Sequence, residues 1–144
     1  MIIPLQVRDF AGGLRAMASF LIQSEKPHIF GLIESIVDTG SPTTILGMSD
    51  IKRMRVSQLQ LRDIESRKEP HAYGGGRLKT KILRGAKLKF GEYFDCIMDV
   101  EIPVQEITEL NTQPTIIGVD FMEKNKLKLI FDPAKKEAYF ETSE

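Results

Sequence analysis

The chain of 144 residues contains no tryptophan, one cysteine and two histidines, and its twenty basic residues cancel twenty acidic ones. Each shortage excludes something. A lone Cys96 cannot close an internal disulfide, which fits a reducing compartment. His28 and His71 lack zinc-ligand spacing to each other or to Cys96, so neither a metal nor a cofactor is expected. No apolar run approaches the length of a membrane span. The opening stretch is broken by Arg8, Asp9 and Arg15, unlike the clean apolar core of a signal peptide. Balanced charge gives no global attraction to nucleic acid or to a membrane surface. These absences together lead us to expect a soluble cytoplasmic protein with neither partner.

What is present is ordinary globular usage, 42% apolar and 28% charged, which argues against disorder. The length fits one domain over residues 1–144. Such a chain buries a real core, and a second copy would add to it.

Most segments read as strands. Ile2 to Val7 is a short apolar run whose Pro4 suggests an edge or terminal strand. Arg15 to Gln23 and His28 to Val37 are strand-like runs flanking a turn at Ser24-Glu25-Lys26-Pro27. Ser49, with Asp50 after it, reads as the N-cap of a short helix running to about Arg55. Beyond Tyr73-Gly74-Gly75-Gly76 a long alternating stretch is punctuated by Gly85 and Gly91 into two or three strands. The run PTIIGVDFMEKN gives a short strand, Gly118 and a second short helix, with Asp120 and Glu123 at capping-box spacing. Leu127 to Phe131 and Glu137 to Glu141 close as a hairpin about Asp132-Pro133. A mainly β fold follows, a small closed barrel or sandwich with two short helices.

One strand ends oddly. The apolar residues through Val37 deliver Asp38-Thr39-Gly40-Ser41, and Thr43 to Leu46 then resumes a strand. A carboxylate at the end of a core strand is costly unless it is paired or hydrogen-bonded. Asp-Thr-Gly alone is good turn chemistry and a weak signal. Its setting strengthens it, because the Tyr73 to Gly76 glycine run and Ile116-Ile117-Gly118 follow in order.

Taken together, these segments resemble the retropepsin-like aspartic proteases, the half-sized homodimeric relatives of pepsin, over roughly residues 14 to 131. The resemblance implies a retropepsin-like acid-protease barrel that forms one half of a C2 homodimer. Asp38 would be the catalytic acid, with Thr39, Gly40 and Ser41 completing its loop. Tyr73, Gly74, Gly75 and Gly76 would form the flap over an extended polypeptide substrate. Ile116, Ile117 and Gly118 would support the catalytic loop. Peptide hydrolysis by this route needs one carboxylate to deprotonate water and one carboxylic acid to polarise the carbonyl. Two carboxyls about 3 Å apart share a proton, and a residue near a two-fold axis meets its own copy. The partner of Asp38 would therefore be Asp38 of a second chain. Across that axis the Thr39 hydroxyl would brace the opposite loop, Gly40 would offer its amide to the carboxylate, and Ser41 would donate to its outer oxygen. The terminal strands, around Ile2-Ile3 and the Leu127 to Glu141 hairpin, would join the two chains.

The chain departs from that pattern in three places. It is longer than a minimal retroviral protease, mainly through residues 47–70. Val119-Asp120 stands where retroviral enzymes carry arginine, which brings it closer to the DNA-damage-inducible and microbial members. The flap is also richer in glycine than usual. Two alternatives stand beside this reading. A non-catalytic dimeric peptide-interaction module could use the same fold. A nucleic-acid binder could use the six basic residues of Arg77 to Lys89, but that stretch lacks interleaved aromatics and fits a solvated strand face better.

Overall fold

The architecture comes from a computed structural model describing residues 1–73, 76–104 and 113–143. Three long strands, β1 (Ile2–Phe10), β2 (Gly13–Glu25) and β3 (His28–Val37), form an antiparallel meander. Its first turn uses Ala11 and Gly12 at φ 51° and 86°. Helices α1 (Met48–Arg53) and α2 (Gln58–Leu61) and the short strand β4 (Glu65–Ser66) follow. Among the described residues two three-residue strands, β5 (His71–Tyr73) and β6 (Gly76–Leu78), pair only with each other. The long hairpin of β7 (Thr80–Phe90) and β8 (Phe94–Pro103) comes next. Then come β9 (Thr115–Ile117), α3 (Val119–Asn125), β10 (Leu127–Asp132) and β11 (Glu137–Thr142).

The main sheet runs β10-β11-β1-β2-β3-β9, and β7 joins at β2 and carries β4 and β8 with it. Among the described residues the strand ladders alone do not close the expected barrel, but Ile45 bridges the two branches, to Ile116 of β9 and to Glu101 of β8. Strand β1 divides its pairing between two neighbours. Ile2 to Leu5 match β11, whereas Gln6 to Phe10 match β2. Pro4 therefore falls in the half of β1 where β2 is not its neighbour. That is the edge-like setting a residue without an N–H requires.

Period-two alternation puts Ala16, Ala18, Phe20 and Ile22 of β2 inward, with Ala86, Leu88 and Phe90 of β7. In the absence of tryptophan, phenylalanines span the centre of the core. Phe20, Phe90, Phe121 and Phe140 form a chain with ring centroids 5.2, 5.1 and 5.4 Å apart. They tie β2, β7, α3 and β11 together, each pair adding about 0.5–1.5 kcal/mol beyond area burial.

Three helices are described where two were expected. Gly47, not Ser49, is the N-cap of α1, and the Ser49 hydroxyl instead donates to the Gln113 carbonyl at 2.9 Å. The additional helix, α2, is closed by a capping box between Ser57 and Gln60. The segment 47–70 thus holds α1, α2 and β4.

Candidate active site at the Asp38 loop

Val37 is buried, Asp38 half-buried, and Thr39 and Gly40 are exposed, so β3 delivers its last residue from the core to a surface loop. Three backbone bonds shape that exit. The Asp38 amide donates to the Ile117 carbonyl at 3.0 Å, and the Ser41 amide closes a turn on the Asp38 carbonyl at 3.1 Å. The Gly40 amide donates to Asp38 Oδ1 at 2.8 Å. A Cβ on Gly40 would lie 3.1 Å from the same oxygen, close enough that the carboxylate would have to shift by a few tenths of an ångström.

Ile116, Ile117 and Gly118 sit beside this loop. β9 runs parallel to β3, pairing Ile36 with Ile116 and Val37 with Ile117. On the other side Ile45 and Ile116 exchange backbone bonds of 3.0 and 2.9 Å. The strand carrying Ile116 is therefore threaded between the two arms of the Asp38 loop. Gly118 follows where no side chain fits. A Cβ there would lie 2.6 Å from the backbone of Thr43 and 2.7 Å from the Ser41 carbonyl. The start of α3 then caps the loop from outside, its Val119 and Asp120 amides donating to the Ser41 and Pro42 carbonyls at 2.8 and 3.2 Å.

Two side chains that the sequence does not pair lock this arrangement. Thr44 is fully buried, and its hydroxyl donates to Asp120 Oδ1 at 2.7 Å while accepting from the Gly118 amide at 3.1 Å. Its own amide donates to Asp120 Oδ2 at 3.0 Å. The expected capping box of Asp120 and Glu123 is corrected accordingly. Gly118 is the N-cap of α3 with no side-chain cap, and Asp120 faces Thr44 and the Phe121 amide. The signal for Thr44 was a threonine on the strand leaving the loop, but nothing in sequence pairs it with Asp120.

Ser41 differs from expectation as well. Its hydroxyl donates to the Thr43 carbonyl at 2.8 Å, bracing the loop's own turn and not the outer oxygen of Asp38. The glycine run supplies a hairpin in which Tyr73 pairs with Gly76, while Gly74 and Gly75 lie outside the described residues. The basic run of Arg77 to Lys89 is a mostly exposed strand face. Arg84 meets Glu65 and Asp99, and Lys87 meets Asp95.

Solved structures of other proteins share this shape. A retropepsin-like aspartic protease from Rickettsia conorii superposes with a TM-score of 0.63 at 12% identity, covering 99% of this chain and 92% of that one. The EIAV protease, solved with an inhibitor, gives 0.50 at 16% identity, covering 86% and 100%. The retroviral protease-like domain of Ddi1 from Leishmania major gives 0.50 at 15% identity, covering 78% and 79%. No protein-family model and no curated protein matches the sequence. The chain has the fold of the retropepsin-like aspartic proteases, with its Asp-Thr-Gly-Ser loop seated against Ile116-Ile117-Gly118. Within one chain that loop presents a single carboxylate. No helix among the described residues is long and apolar enough to cross a membrane.

Proposed function

We propose that this protein is an aspartic endopeptidase acting as a homodimer, with a catalytic dyad made from Asp38 of each chain. One observation carries the reading: within a retropepsin-like fold, a lone acid on an exposed Asp-Thr-Gly turn is held by backbone bonds to Ile117 and Gly40. The structural neighbours are aspartic proteases. A loop held this firmly suits preorganised acid–base chemistry, where small displacements of the reacting groups are costly.

In the dimer, one Asp38 takes a proton from water as the water attacks the scissile carbonyl, and the other donates its proton to the carbonyl oxygen. The gem-diol then collapses, with proton transfer to the leaving nitrogen. No acyl-enzyme forms. Gly40 holds the inner carboxylate oxygen in place, and the exposed Thr39 faces the two-fold axis. The β5–β6 hairpin closes over an extended polypeptide as the flap, the role assigned to Tyr73, Gly74, Gly75 and Gly76. Ile116, Ile117 and Gly118 support the loop. Dimerisation is supported by the edge strand β10, which ends the sheet among the described residues, and by the exposure of Ile2 and Phe131 nearby in the ladder. The free Cys96 supports a reducing, cytoplasmic setting.

The test is cleavage of a diverse peptide pool, read by mass spectrometry, by wild type and Asp38→Asn across roughly pH 3 to 8. Activity that rises faster than linearly with protein and disappears in the variant is the expected result. A dimeric wild type that cleaves nothing would transfer the assignment to a non-catalytic peptide-binding module.

A further inference from the structure

Away from the Asp38 loop, the described residues hold a knot of hydrogen bonds around a buried carboxylate. It is centred on Glu101 of β8, whose side chain is only 8% exposed. Three donors converge on its carboxylate from three separate segments. Arg67, just past β4, reaches Oε2 at 3.1 Å. His71 Nε2, on the first residue of β5, and the Thr80 hydroxyl, on the first residue of β7, lie 2.6 and 2.5 Å from Oε1. A carboxylate can accept all three bonds, and each is charge-assisted. The backbone of Glu101 faces the Asp38 loop. Its amide donates to the Thr44 carbonyl at 3.1 Å, and its carbonyl accepts from the Leu46 amide at 2.8 Å.

The position of His71 gives this cluster its meaning. Among the described residues β5 and β6 share no ladder with the main sheet, which leaves the contacts at the feet of the hairpin to fix its place. His71 pairs with Leu78 at those feet. Leu78 is buried in the core, and His71 is fixed to Glu101. One residue therefore carries on its side chain the foot of the hairpin, and on its backbone the strand leaving the candidate active loop.

We propose that Glu101 is a positioning residue that fastens the foot of the β5–β6 hairpin, through His71, to the segment leaving the Asp38 loop. This rests on reading the hairpin as the flap of a protease. Arg67 and Thr80 hold the carboxylate in the orientation that His71 needs. The fastening fixes the height and tilt at which the hairpin meets an extended peptide. It therefore acts on substrate capture, leaving the chemical step to Asp38.

Amide hydrogen exchange tests this without needing catalysis. In His71→Leu the amides of 71–73 and 76–78 should exchange about tenfold faster, the scale set by losing one hydrogen bond to a charged group. Amides in the central ladder of β7 and β8 should stay protected. His71→Gln, which keeps an N–H donor, should recover most of the protection. With an active enzyme, His71→Leu should raise KM about tenfold and leave kcat nearly unchanged, since fewer molecules hold the competent hairpin geometry. Unaltered hairpin exchange in His71→Leu would overturn the proposal. Should that variant loosen the whole chain, Arg67→Gln, altering the more exposed partner, is judged by the same rule. A hairpin that loosens in a protein with no cleavage activity would uphold the fastening and sink the protease reading instead.

Discussion

Thr44 and Asp120, 76 positions apart, are joined by two hydrogen bonds, one from the threonine amide and one from its hydroxyl. The same hydroxyl receives the Gly118 amide. A single buried side chain thus ties the strand leaving the Asp38 loop to the helix that covers it.

Thr44→Val keeps the shape and deletes the hydroxyl. It should cost about 1.5–3 kcal/mol, because a bond to a carboxylate is lost and a buried amide is left without its acceptor. Urea denaturation, compared at equal m-value, measures this. A cost below a few tenths of a kcal/mol would mean that the hydroxyl does not hold the loop.

Gly118→Ala adds a methyl group where backbone atoms of Thr43 and Ser41 stand within 2.7 Å. None of these atoms is a flexible side-chain end, so the loop itself must shift. Overpacking of this kind costs about 1–3 kcal/mol. In an active enzyme the shift should lower kcat more than it lowers stability. Thermal melts run beside cleavage assays would separate the two effects.

The Gly85 amide, donating at 2.9 Å, is the main cause holding the Asp99 carboxyl below its ordinary value of 3.8. Partial burial opposes it, and the Arg84 guanidinium adds to the lowering. A depressed folded-state value stabilises the protein above the unfolded value and is lost as pH falls through the folded one. Wild type should therefore exceed Asp99→Asn in stability near neutrality. The gap should shrink steadily once pH drops below about 4. Chemical denaturation at a series of pH values checks the sign. A gap that widened on acidification would contradict it.

Burial pushes the Cys96 thiol up, and the Asn125 amide only partly offsets this. The thiolate is the reactive form, so alkylation of the folded chain at neutral pH should run slower than in urea. Mass-spectrometric labelling at several times gives the ratio directly. Equal rates would show that Cys96 is not shielded.

Much of the fold was legible because its signals are local. The β3 strand from His28 to Val37 and the glycine hairpin follow from alternation and turn residues, and Ile116-Ile117-Gly118 was visible as an apolar strand ending on glycine. What failed was side-chain partnership across the chain. Asp120 looked like half of a capping box because Glu123 has the right spacing, yet Thr44 offers two donors where the helix start offers fewer. Ser49 resembled an N-cap, but Gly47 takes that place. A Cβ on Gly47 would lie 2.2 Å from the Gln113 carbonyl oxygen. Ser57 and Gln60 have capping-box spacing, but the helix they open is a single turn with little apolar periodicity to mark it. His71 and Glu101, 30 positions apart, give no sequence sign that they meet.

The parallel pairing of β9 with β3 also sets an order of events during synthesis. Asp38 emerges long before Ile117, which holds the acceptor of its amide, and Thr44 long before Gly118 and Asp120, the partners of its hydroxyl. Contacts of such long sequence separation form late. A growing chain therefore carries the acid well before it has the floor that aims it. Any chemistry that depends on a rigid Asp38 loop would stay off until synthesis has passed Gly118 and Asp120.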